Sequence, residues 1–526
     1  MTPFSKYIRS LAIALVLLAS AAIPPARAGL QEDLRKGYGL IDQWRIEEAE
    51  HYVEELLKQN VRSGDVHFLK ARVEFFKGNY TEAWNILKDV EDVEDVVKDF
   101  KGLVSRTQKA TEKFVTRETR HFKIRYIDGP DEILISFAEK VLEESYQVLG
   151  KVIGHFPKEK ILVEIYPGRE EFSKISPLTL KDIMTSGTVA LCKYRRIMII
   201  TPASSLRGYN WMDTLSHEFT HYLLSSASHN NVPLWLHEGI AKYLESYWRQ
   251  GGRMTPIMET VLASGIQNDY LVSLDSMMPS FAKLKTAEDV QLAYAEVSTM
   301  VDYMIELKGE AIISKLVRDL RDDRTFEDAL QKNLGMDLDT FQRQWKQHIK
   351  SLKLRTIPGL RVLRFEFKEK DGIQNKPESE IPGAFDAIGG KRARDLILLG
   401  DMLKQRQRVN AAIIEYEKAI KEASTLSPVL YNKLGATYLQ DKRYDQAEEL
   451  LNTSLGYYPD FPPTLVNLGE LHFHKENMDQ AEHFFQQAVR LNPFNPLLHR
   501  RLISLYRTTR QEEKLKNQER LYSYLK

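Results

Sequence analysis

The chain has 526 residues, of which 43% are hydrophobic, and its 74 Lys+Arg against 73 Asp+Glu leave a net charge of +1. At about 100 to 200 residues per domain this length predicts roughly three globular domains. The balanced charge excludes a global electrostatic attraction to nucleic acid or to an anionic membrane surface, so we expect no nucleic-acid partner. Cys192 is the only cysteine, which excludes an intrachain disulfide.

The first residues have the pattern of an export signal. A basic flank precedes an apolar run from Leu11 to Ala22, and Ala26-Arg27-Ala28 forms a small-x-small cleavage site. We therefore predict a signal peptide over residues 1–28, and export of a disulfide-free chain to a bacterial periplasm. An uncleaved membrane anchor is the alternative, although the apolar run is short for a span. No later stretch reaches spanning length, so no stable membrane span is expected after cleavage.

Small residues recur at a spacing typical of helical repeats after this segment. Gly37 and Ala71 lie 34 residues apart, as do Ala49 and Ala83. Residues 29–115 are therefore predicted to form two divergent helical repeats followed by a helix over Val93 to Lys113. An ordinary helical bundle is the alternative.

The sequence pattern changes in the middle of the chain, where alternating hydrophobic and polar residues indicate strands. Residues 116–355 are predicted to form a mostly helical α+β domain, with a small sheet first and helices from Met212 onward. The strands are expected at His121 to Ile127, Lys160 to Tyr166, Gly187 to Cys192 and Ile197 to Thr201; the helices include Asp131 to Ile153, Ala293 to Leu307, Ala311 to Leu320 and Leu338 to Leu352.

A linker and a second repeat region follow. Residues 356–390 are rich in Gly, Pro and charge after Asp371, which predicts an interdomain linker, and the run Leu360 to Phe367 is a candidate for a further strand. Residues 391–526 contain a clearer repeat, with small residues at 34- to 35-residue spacing opposite large ones, and end in a polar helix pair expected to cap the stack. The small residues are Gly400, Gly435 and Gly469, then Ala412, Ala447 and Ala481, then Ala419, Ser454 and Ala488; the large partners are Tyr416, Leu451 and Phe485.

A metal-binding pattern lies within the middle domain. His217 and His221 are the first and last residues of a His-Glu-x-x-His motif. Residues four apart share one face of a helix, so both imidazoles can reach one ion. Glu238 follows 17 residues after His221 and offers a third ligand from the next helix. Three protein ligands leave the fourth position of a tetrahedral zinc open for water, which is typical of a catalytic zinc rather than a structural one. Histidines that merely pack on a helix are the alternative.

This two-helix core resembles the gluzincin branch of zinc metallopeptidases. The similarity is greatest to the group called peptidase MA-like and covers about residues 117 to 352. The resemblance implies that His217, His221 and Glu238 bind one Zn²⁺, and that Glu218 is the general base for water, whose pKa zinc can lower from about 15.7 to about 7. The flanking repeats likewise resemble tetratricopeptide repeats, which implies protein partners.

The same resemblance implies two further roles. Glu245, seven residues after Glu238, matches a position that steadies a ligand histidine, and a carboxylate there orients the imidazole. Tyr294 lies on a later helix, where similar enzymes place a tyrosine that supports the tetrahedral intermediate; core packing is the alternative for this residue. His229 and His237 are nearby; for His237 a position behind a ligand or at the surface is favoured over ligation.

The chain also departs from two known gluzincin patterns. It has no Gly-x-Met-Glu-Asn segment, with which aminopeptidase-type members hold a free amine, and Lys242 replaces the acid of thermolysin-like enzymes. These features favour an exported zinc endopeptidase whose repeats recruit protein substrates or partners. The alternative is a periplasmic scaffold of tetratricopeptide repeats whose hydrolase domain is inactive or acts on a non-peptide substrate.

Overall fold

The computed structural model describes residues 25–59, 63–91, 95–252, 254–278, 280–363, 365–368 and 388–526. Most of the predicted signal segment, 1–28, and most of the linker after Lys368 lie outside the described residues. The described part is mostly helical with one five-stranded sheet, so the predicted fold class is confirmed.

The chain begins with helical pairs that match the predicted N-terminal repeats. Ala71 and Ala83 are fully buried, and a Cβ at Gly37 would lie 2.4 Å from Leu69 Cδ2. The small residues therefore allow neighbouring helices to approach closely. The helices are α1 (Pro25–Asp42), α2 (Ile46–Gln59), α3 (Gly64–Phe76), α4 (Tyr80–Leu87) and α5 (Asp95–Thr111).

The sheet has the strand order β1-β2-β3-β5-β4, with β4 at an open edge. The inner pairs β2–β3 and β3–β5 are parallel, and the outer pairs β1–β2 and β4–β5 are antiparallel. Strand β1 was not predicted. The strands are β1 (Phe114–Glu118), β2 (Phe122–Ile127), β3 (Ile161–Tyr166), β4 (Ala190–Lys193) and β5 (Arg196–Ile200).

The prediction of a strand over Leu360 to Phe367 is wrong. Among its described residues, only Phe367 forms a β-bridge, an isolated one with Ser205. Its backbone follows the loop after β5 for a few residues, with Leu206 N donating to Glu366 O, and its rings pack against the sheet instead of extending it.

Helices cover both faces of the sheet. Helix α6 (Glu132–Ile153) and helix α9 (Trp211–Ala227) pack on one face, and α7 (Arg169–Ile175) and α8 (Leu180–Ser186) on the other. The predicted helix at Ala293 begins earlier, at Ala287, because Thr286 caps it by accepting a hydrogen bond from Asp289 N. The remaining helices of this region are α10 (Leu234–Leu244), α11 (Pro256–Gln267), α12 (Ala287–Lys308), α13 (Ala311–Arg321), α14 (Phe326–Leu334) and α15 (Leu338–Ser351).

The C-terminal helices form the predicted stack of repeats. A Cβ at Gly400, Gly435 or Gly469 would lie 2.4 to 2.7 Å from the large residue predicted opposite it. Each glycine thus lets an aromatic or leucine side chain pack against the helix backbone. The helices are α16 (Lys391–Gln405), α17 (Val409–Glu422), α18 (Pro428–Gln440), α19 (Tyr444–Tyr457), α20 (Pro462–His474), α21 (Met478–Leu491), α22 (Pro496–Thr508) and α23 (Glu512–Ser523).

Both repeat regions pack against helix α9 and its surroundings. At the start of α9, the fully buried Trp211 donates from Nε1 to the carbonyl oxygen of Arg490 at 2.8 Å. Further along α9, the ring of Tyr222 packs edge-on against Trp44, with ring centroids 5.5 Å apart. The repeats are therefore joined to the middle domain by specific contacts.

A buried ion pair connects the N-terminal repeats to the sheet. Arg196 Nε lies 3.2 Å from Glu164 Oε2, and both side chains are fully buried. Tyr80, on α4, donates to Glu164 Oε1 at 2.7 Å and accepts from Arg196 at 2.5 Å. Burial of two charges is tolerated here because they pair with each other and Tyr80 hydrogen-bonds to both, while Arg196 Nε and Nη2 have no hydrogen-bond partner among the described residues.

We expect Arg196→Met to lower the free energy of unfolding by about 3 to 5 kcal/mol, because it removes the buried cation of this pair and leaves the Glu164 carboxylate with only the half-buried Arg125, 3.6 Å away. The double variant Arg196→Met/Glu164→Gln should lose less, since it leaves no fully buried charge at this position. Arg117→Met is the control: its pair with Glu132 is exposed on the arginine side, and its loss should cost under about 1 kcal/mol. Urea denaturation of the three variants measures this, and equal losses for Arg196 and Arg117 would contradict it.

Candidate metal centre

Helix α9 carries the His-Glu-x-x-His motif on a rigidly held segment. The Asn210 side chain caps its first turn by accepting from Asp213 N. Asp213 in turn accepts hydrogen bonds from Trp248 Nε1 at 2.8 Å and from the Arg249 guanidinium. One turn apart on the same face, His217 and His221 turn their Nε2 atoms towards each other at 3.2 Å.

Glu238, on helix α10, meets both imidazoles. Its Oε2 atom lies 3.5 Å from His217 Nε2 and 3.4 Å from His221 Nε2. A tetrahedron with metal–ligand bonds of about 2.0 to 2.1 Å has edges of about 3.3 to 3.4 Å. The three atoms therefore form one face of a tetrahedron of the size that zinc requires, and the three predicted ligands are brought together.

Gly239 explains why Glu238 can reach this point. A Cβ on residue 239 would lie 2.7 Å from the carbonyl oxygen of Val297 and 3.0 Å from Val301 Cγ2, both on helix α12. Only glycine permits this approach of α10 to α12 without displacing one of them. The preceding residue, Glu238, then points into the space in front of α9.

Glu218 lies beside the three predicted ligands. It is 7% exposed, and its Oε2 atom has no hydrogen-bond partner among the described residues. Its side chain and both imidazoles offer ligand atoms within 4.8 Å of one another, which makes it a rival for the third ligand position. We assign that position to Glu238 because its Oε2 is nearly equidistant from both Nε2 atoms, which leaves Glu218 as a neighbouring base.

The electrostatics of the site favour a cation. Burial by itself lowers the pKa of His217, but the adjacent carboxylates of Glu238 and Glu245 outweigh it and raise that pKa to about 10. Burial would raise the pKa of Glu238, yet the two imidazoles hold it far below its usual value. Glu238 Oε2, like Glu218 Oε2, is buried without a hydrogen-bond partner in the described part of the chain. A divalent cation would neutralise the buried carboxylates and would bind the oxygens that lack a partner among the described residues. The donor set therefore fits zinc.

Glu245 lies behind the first imidazole, as predicted. Its Oε2 atom is 3.3 Å from His217 Nδ1, and its Oε1 atom accepts from Lys242 Nζ at 2.5 Å. A carboxylate at Nδ1 holds the ring so that Nε2 faces the metal position. Lys242, which departs from the thermolysin-like pattern, thus orients Glu245.

His237 lies behind a candidate ligand, which is one of the two positions favoured for it from the sequence. Its Nδ1 atom lies 2.6 Å from His221 Nδ1, and its Nε2 atom lies 3.2 Å from Ser225 Oγ. Burial, followed by the nearby His221, lowers the pKa of His237 to about 3, so the ring of His237 is neutral. A neutral ring can accept a hydrogen bond from His221 Nδ1–H. Each imidazole of the motif therefore has its own orienting partner. The signal for this role is weak, because it depends on how two helices cross.

Tyr294, on helix α12, lies next to the cluster. Its ring centroid is 6.2 Å from that of His217 and 5.0 Å from that of Phe281. Burial, together with the carboxylates of Glu238 and Glu218, raises the pKa of the phenol well above its usual value. The hydroxyl is therefore neutral and remains a hydrogen-bond donor beside the site.

Comparison with protein families agrees with this architecture. Residues 143–351 match the Peptidase MA superfamily, and residues 34–86 and 438–503 match tetratricopeptide repeats. The uncharacterized protein YhcO of Bacillus subtilis strain 168 is 21% identical over 274 residues, which cover 46% of this chain and 74% of that protein. Among the described residues, no helix combines the length and apolar character needed to cross a membrane.

Solved structures with partial similarity include a hydrolase and a multi-subunit complex. Yeast LTA4 hydrolase in complex with bestatin is 13% identical, with 72% of this chain and 66% of that chain covered at a TM-score of 0.30, so the chain spans just under two thirds of that enzyme. The APC/C hetero-tetramer Cut9-Hcn1 is 10% identical, with 95% and 80% covered at a TM-score of 0.25. From the family matches, the chain contains a Peptidase MA superfamily domain between two regions of tetratricopeptide repeats.

Proposed function

We propose that the middle domain is a zinc-dependent endopeptidase. The observation that carries this proposal is the triangle of His217 Nε2, His221 Nε2 and Glu238 Oε2, whose sides of 3.2 to 3.5 Å suit one tetrahedral zinc. Glu218 Oε2, which is buried beside it without a hydrogen-bond partner among the described residues, supplies the base that a structural metal site does not need.

The residues of the site have distinct tasks in peptide hydrolysis. When bound, zinc acts as a Lewis acid on the substrate carbonyl and on water. Glu218 accepts a proton from that water and delivers it to the leaving amine nitrogen. The Tyr294 hydroxyl donates a hydrogen bond to the oxygen that gains negative charge, a role supported by its place beside His217.

The open edge of β4 supports a peptide substrate. Ile200 N donates to Val189 O, so the antiparallel register turns the backbone groups of Ala190 and Cys192 away from β5. The Cys192 amide faces Glu218 and hydrogen-bonds to it. A peptide added to this edge would run past Glu218 and be held mainly through its backbone, as suits an endopeptidase.

The repeats and the N-terminus complete the proposal. The tetratricopeptide repeats contact the metal-bearing helix directly, and we infer that they recruit protein substrates or partners to the cleft. The export pattern of residues 1–28 supports a periplasmic location, which fractionation of cells that express the full chain would test.

We expect one zinc ion per chain in the wild type and little zinc in His217→Ala, His221→Ala or Glu238→Ala, because each removes one of three protein ligands. His229→Asn is the control: this histidine lies outside the ligand triangle, and asparagine tolerates its positive φ of 54°. Elemental analysis after dialysis measures the stoichiometry. Full zinc occupancy in all three alanine variants would refute the ligand assignment.

Glu218→Gln is expected to retain zinc and to lose peptide hydrolysis by about a hundredfold to ten-thousandfold, because glutamine cannot accept the proton. The measurement is cleavage of an unfolded protein, followed by electrophoresis, alongside zinc analysis of the same preparation. We also expect the wild type to lose activity when zinc is removed and to regain it when zinc is added back. Equal cleavage by the variant and the wild type would reject Glu218 as the base.

His237→Phe is expected to weaken zinc binding by about tenfold to a hundredfold, because His221 loses the acceptor that holds its ring. Competition with a chromophoric chelator measures the affinity. Ser225→Ala is the milder comparison, since it removes only the contact at His237 Nε2. Unchanged zinc affinity in His237→Phe would show that ring stacking alone positions His221.

A further inference from the structure

The turn that follows edge strand β4 is built against the local preference of its backbone. Strand β4 pairs with β5 up to Lys193 and Arg196, so Tyr194 and Arg195 alone form the connection. Both have positive φ, 55° for Tyr194 and 59° for Arg195. Two-residue hairpin turns with positive φ at both positions favour Asn-Gly, because larger side chains are strained in this backbone conformation. A tyrosine and an arginine are kept here in spite of that strain.

The Tyr194 ring packs into the N-terminal repeats. Its centroid lies 5.4 Å from that of Phe75 and 5.8 Å from that of Phe76, at the end of α3, and both contacts are edge-on. Phe75 is fully buried in the core of these repeats, where its ring also packs against Phe100 of α5. Edge-on aromatic pairs stabilise a contact beyond the burial of their area. The turn therefore joins an aromatic cluster that belongs to a different domain.

The next two residues of the hairpin extend this contact. Arg195 forms an ion pair with Glu47 of α2, and the arginine side chain is only 16% exposed. The Arg196 guanidinium donates to the Tyr80 hydroxyl of α4 at 2.5 Å. Residues 194–196 thus contact three successive helices of the repeats, α2, α3 and α4. Because the carboxylate of Glu47 is largely exposed, its ion pair adds little, and the ring of Tyr194 supplies most of the contact made by the turn itself.

Strand β4 is short and is hydrogen-bonded on one side only. It has four residues, pairs with β5 and forms the open edge of the described sheet. Ala190 and Cys192 pack in the core under α9, and Leu191 packs on the opposite face. A strand that is already held in place loses less conformational freedom when a peptide binds to its edge. The fixed turn at its end therefore favours binding of a peptide backbone.

We propose that the N-terminal repeats clamp the turn at Tyr194 and Arg195 and thereby hold β4 in place for the backbone of the substrate. Tyr194 is then a positioning residue: it is not one of the candidate ligands and acts through the strand that precedes it. Backbone strain of this kind persists only where the surrounding structure holds it, which the contact with the repeats does here. The inference rests on the proposed binding of a peptide at β4 and gives the N-terminal repeats a task within the chain.

The first experiment replaces the turn by the residues that its backbone favours. In Tyr194→Asn/Arg195→Gly the hairpin remains formed while the turn's contact with the repeats is lost. The substrate is an end-blocked fluorogenic peptide chosen from the cleavage sites of an unfolded protein. We expect KM to rise roughly threefold to tenfold, with kcat changed by less than about twofold and zinc content unchanged. Tyr194→Phe keeps the ring and should keep the wild-type KM. An unchanged KM in the double variant would overturn the proposal.

The second experiment removes the same contact from the side of the repeats. Phe76→Ala leaves the middle domain unchanged and should raise KM by a similar factor. Phe100→Ala is the matched control, because its ring packs on Phe68 and Phe75 inside the repeats, and should leave KM unchanged. Combining Phe76→Ala with the turn substitution should raise KM no further, since both remove one contact. Effects on KM that multiply would show two independent sites and contradict the clamp.

The third experiment needs no turnover. Hydrogen exchange, followed by mass spectrometry of peptides that cover residues 187–200, reports on the amides of β4. We expect faster exchange over β4 in zinc-loaded Phe76→Ala than in Phe100→Ala or the wild type. Faster exchange with an unchanged KM would overturn the positioning role, because the order of β4 would then not limit substrate binding.

The outcomes separate the clamp from the proposed peptidase. Cleavage by the wild type, with equal exchange and equal KM in Phe76→Ala and Phe100→Ala, would overturn the clamp and leave the peptidase intact. Faster exchange in Phe76→Ala, when the zinc-loaded wild type cleaves no peptide, would reject the peptidase and retain the support of β4 by the repeats. Equal exchange without any cleavage would overturn both.

Discussion

The close approach of helices α10 and α12 at Gly239 is the contact on which the candidate metal centre depends. A Cβ there would lie 2.7 Å from the carbonyl oxygen of Val297, so any side chain would force the helices apart. Because Glu238 is the preceding residue, the same separation determines where its carboxylate meets His217 and His221. Glu238 Oε2 lies 3.5 Å from His217 Nε2 and 3.4 Å from His221 Nε2, which matches the edge of a tetrahedral zinc site. A carboxylate displaced by about 1 Å would no longer fit such a site.

Around this contact, the chain supports helix α9, which carries the His-Glu-x-x-His motif, at several points. The C-terminal repeats hold the start of α9 through Trp211, and the N-terminal repeats pack on Tyr222 further along it. Within the site, Glu245 and His237 each orient one imidazole from behind. These contacts join the repeats to the Peptidase MA superfamily domain directly rather than through a tether alone.

Much of this arrangement follows from local spacing. The four-residue separation of His217 and His221 places both on one helical face, and the glycines of the C-terminal repeats lie against the large residues predicted opposite them. Predictions failed where the outcome depended on distant partners. The run Leu360 to Phe367 has strand-like residues, yet its described backbone follows the loop after β5, and an isolated bridge is all that forms. For His237 the sequence favoured a supporting or surface position, but its partner His221 was not predicted, because that residue lies on another helix.

The sequence by itself determined the fold class, the two repeat regions and the identity of the candidate ligands, because these depend on periodicity and on residue chemistry within one or two helices. Only the tertiary structure decided how closely Glu238 Oε2 approaches the two imidazoles, at 3.5 and 3.4 Å, and that the ring of His237 lies against His221. The reason is physical: these relations are set by helix crossings, where a shift of about one ångström decides which atoms meet, and such distances are not encoded in spacing along the chain.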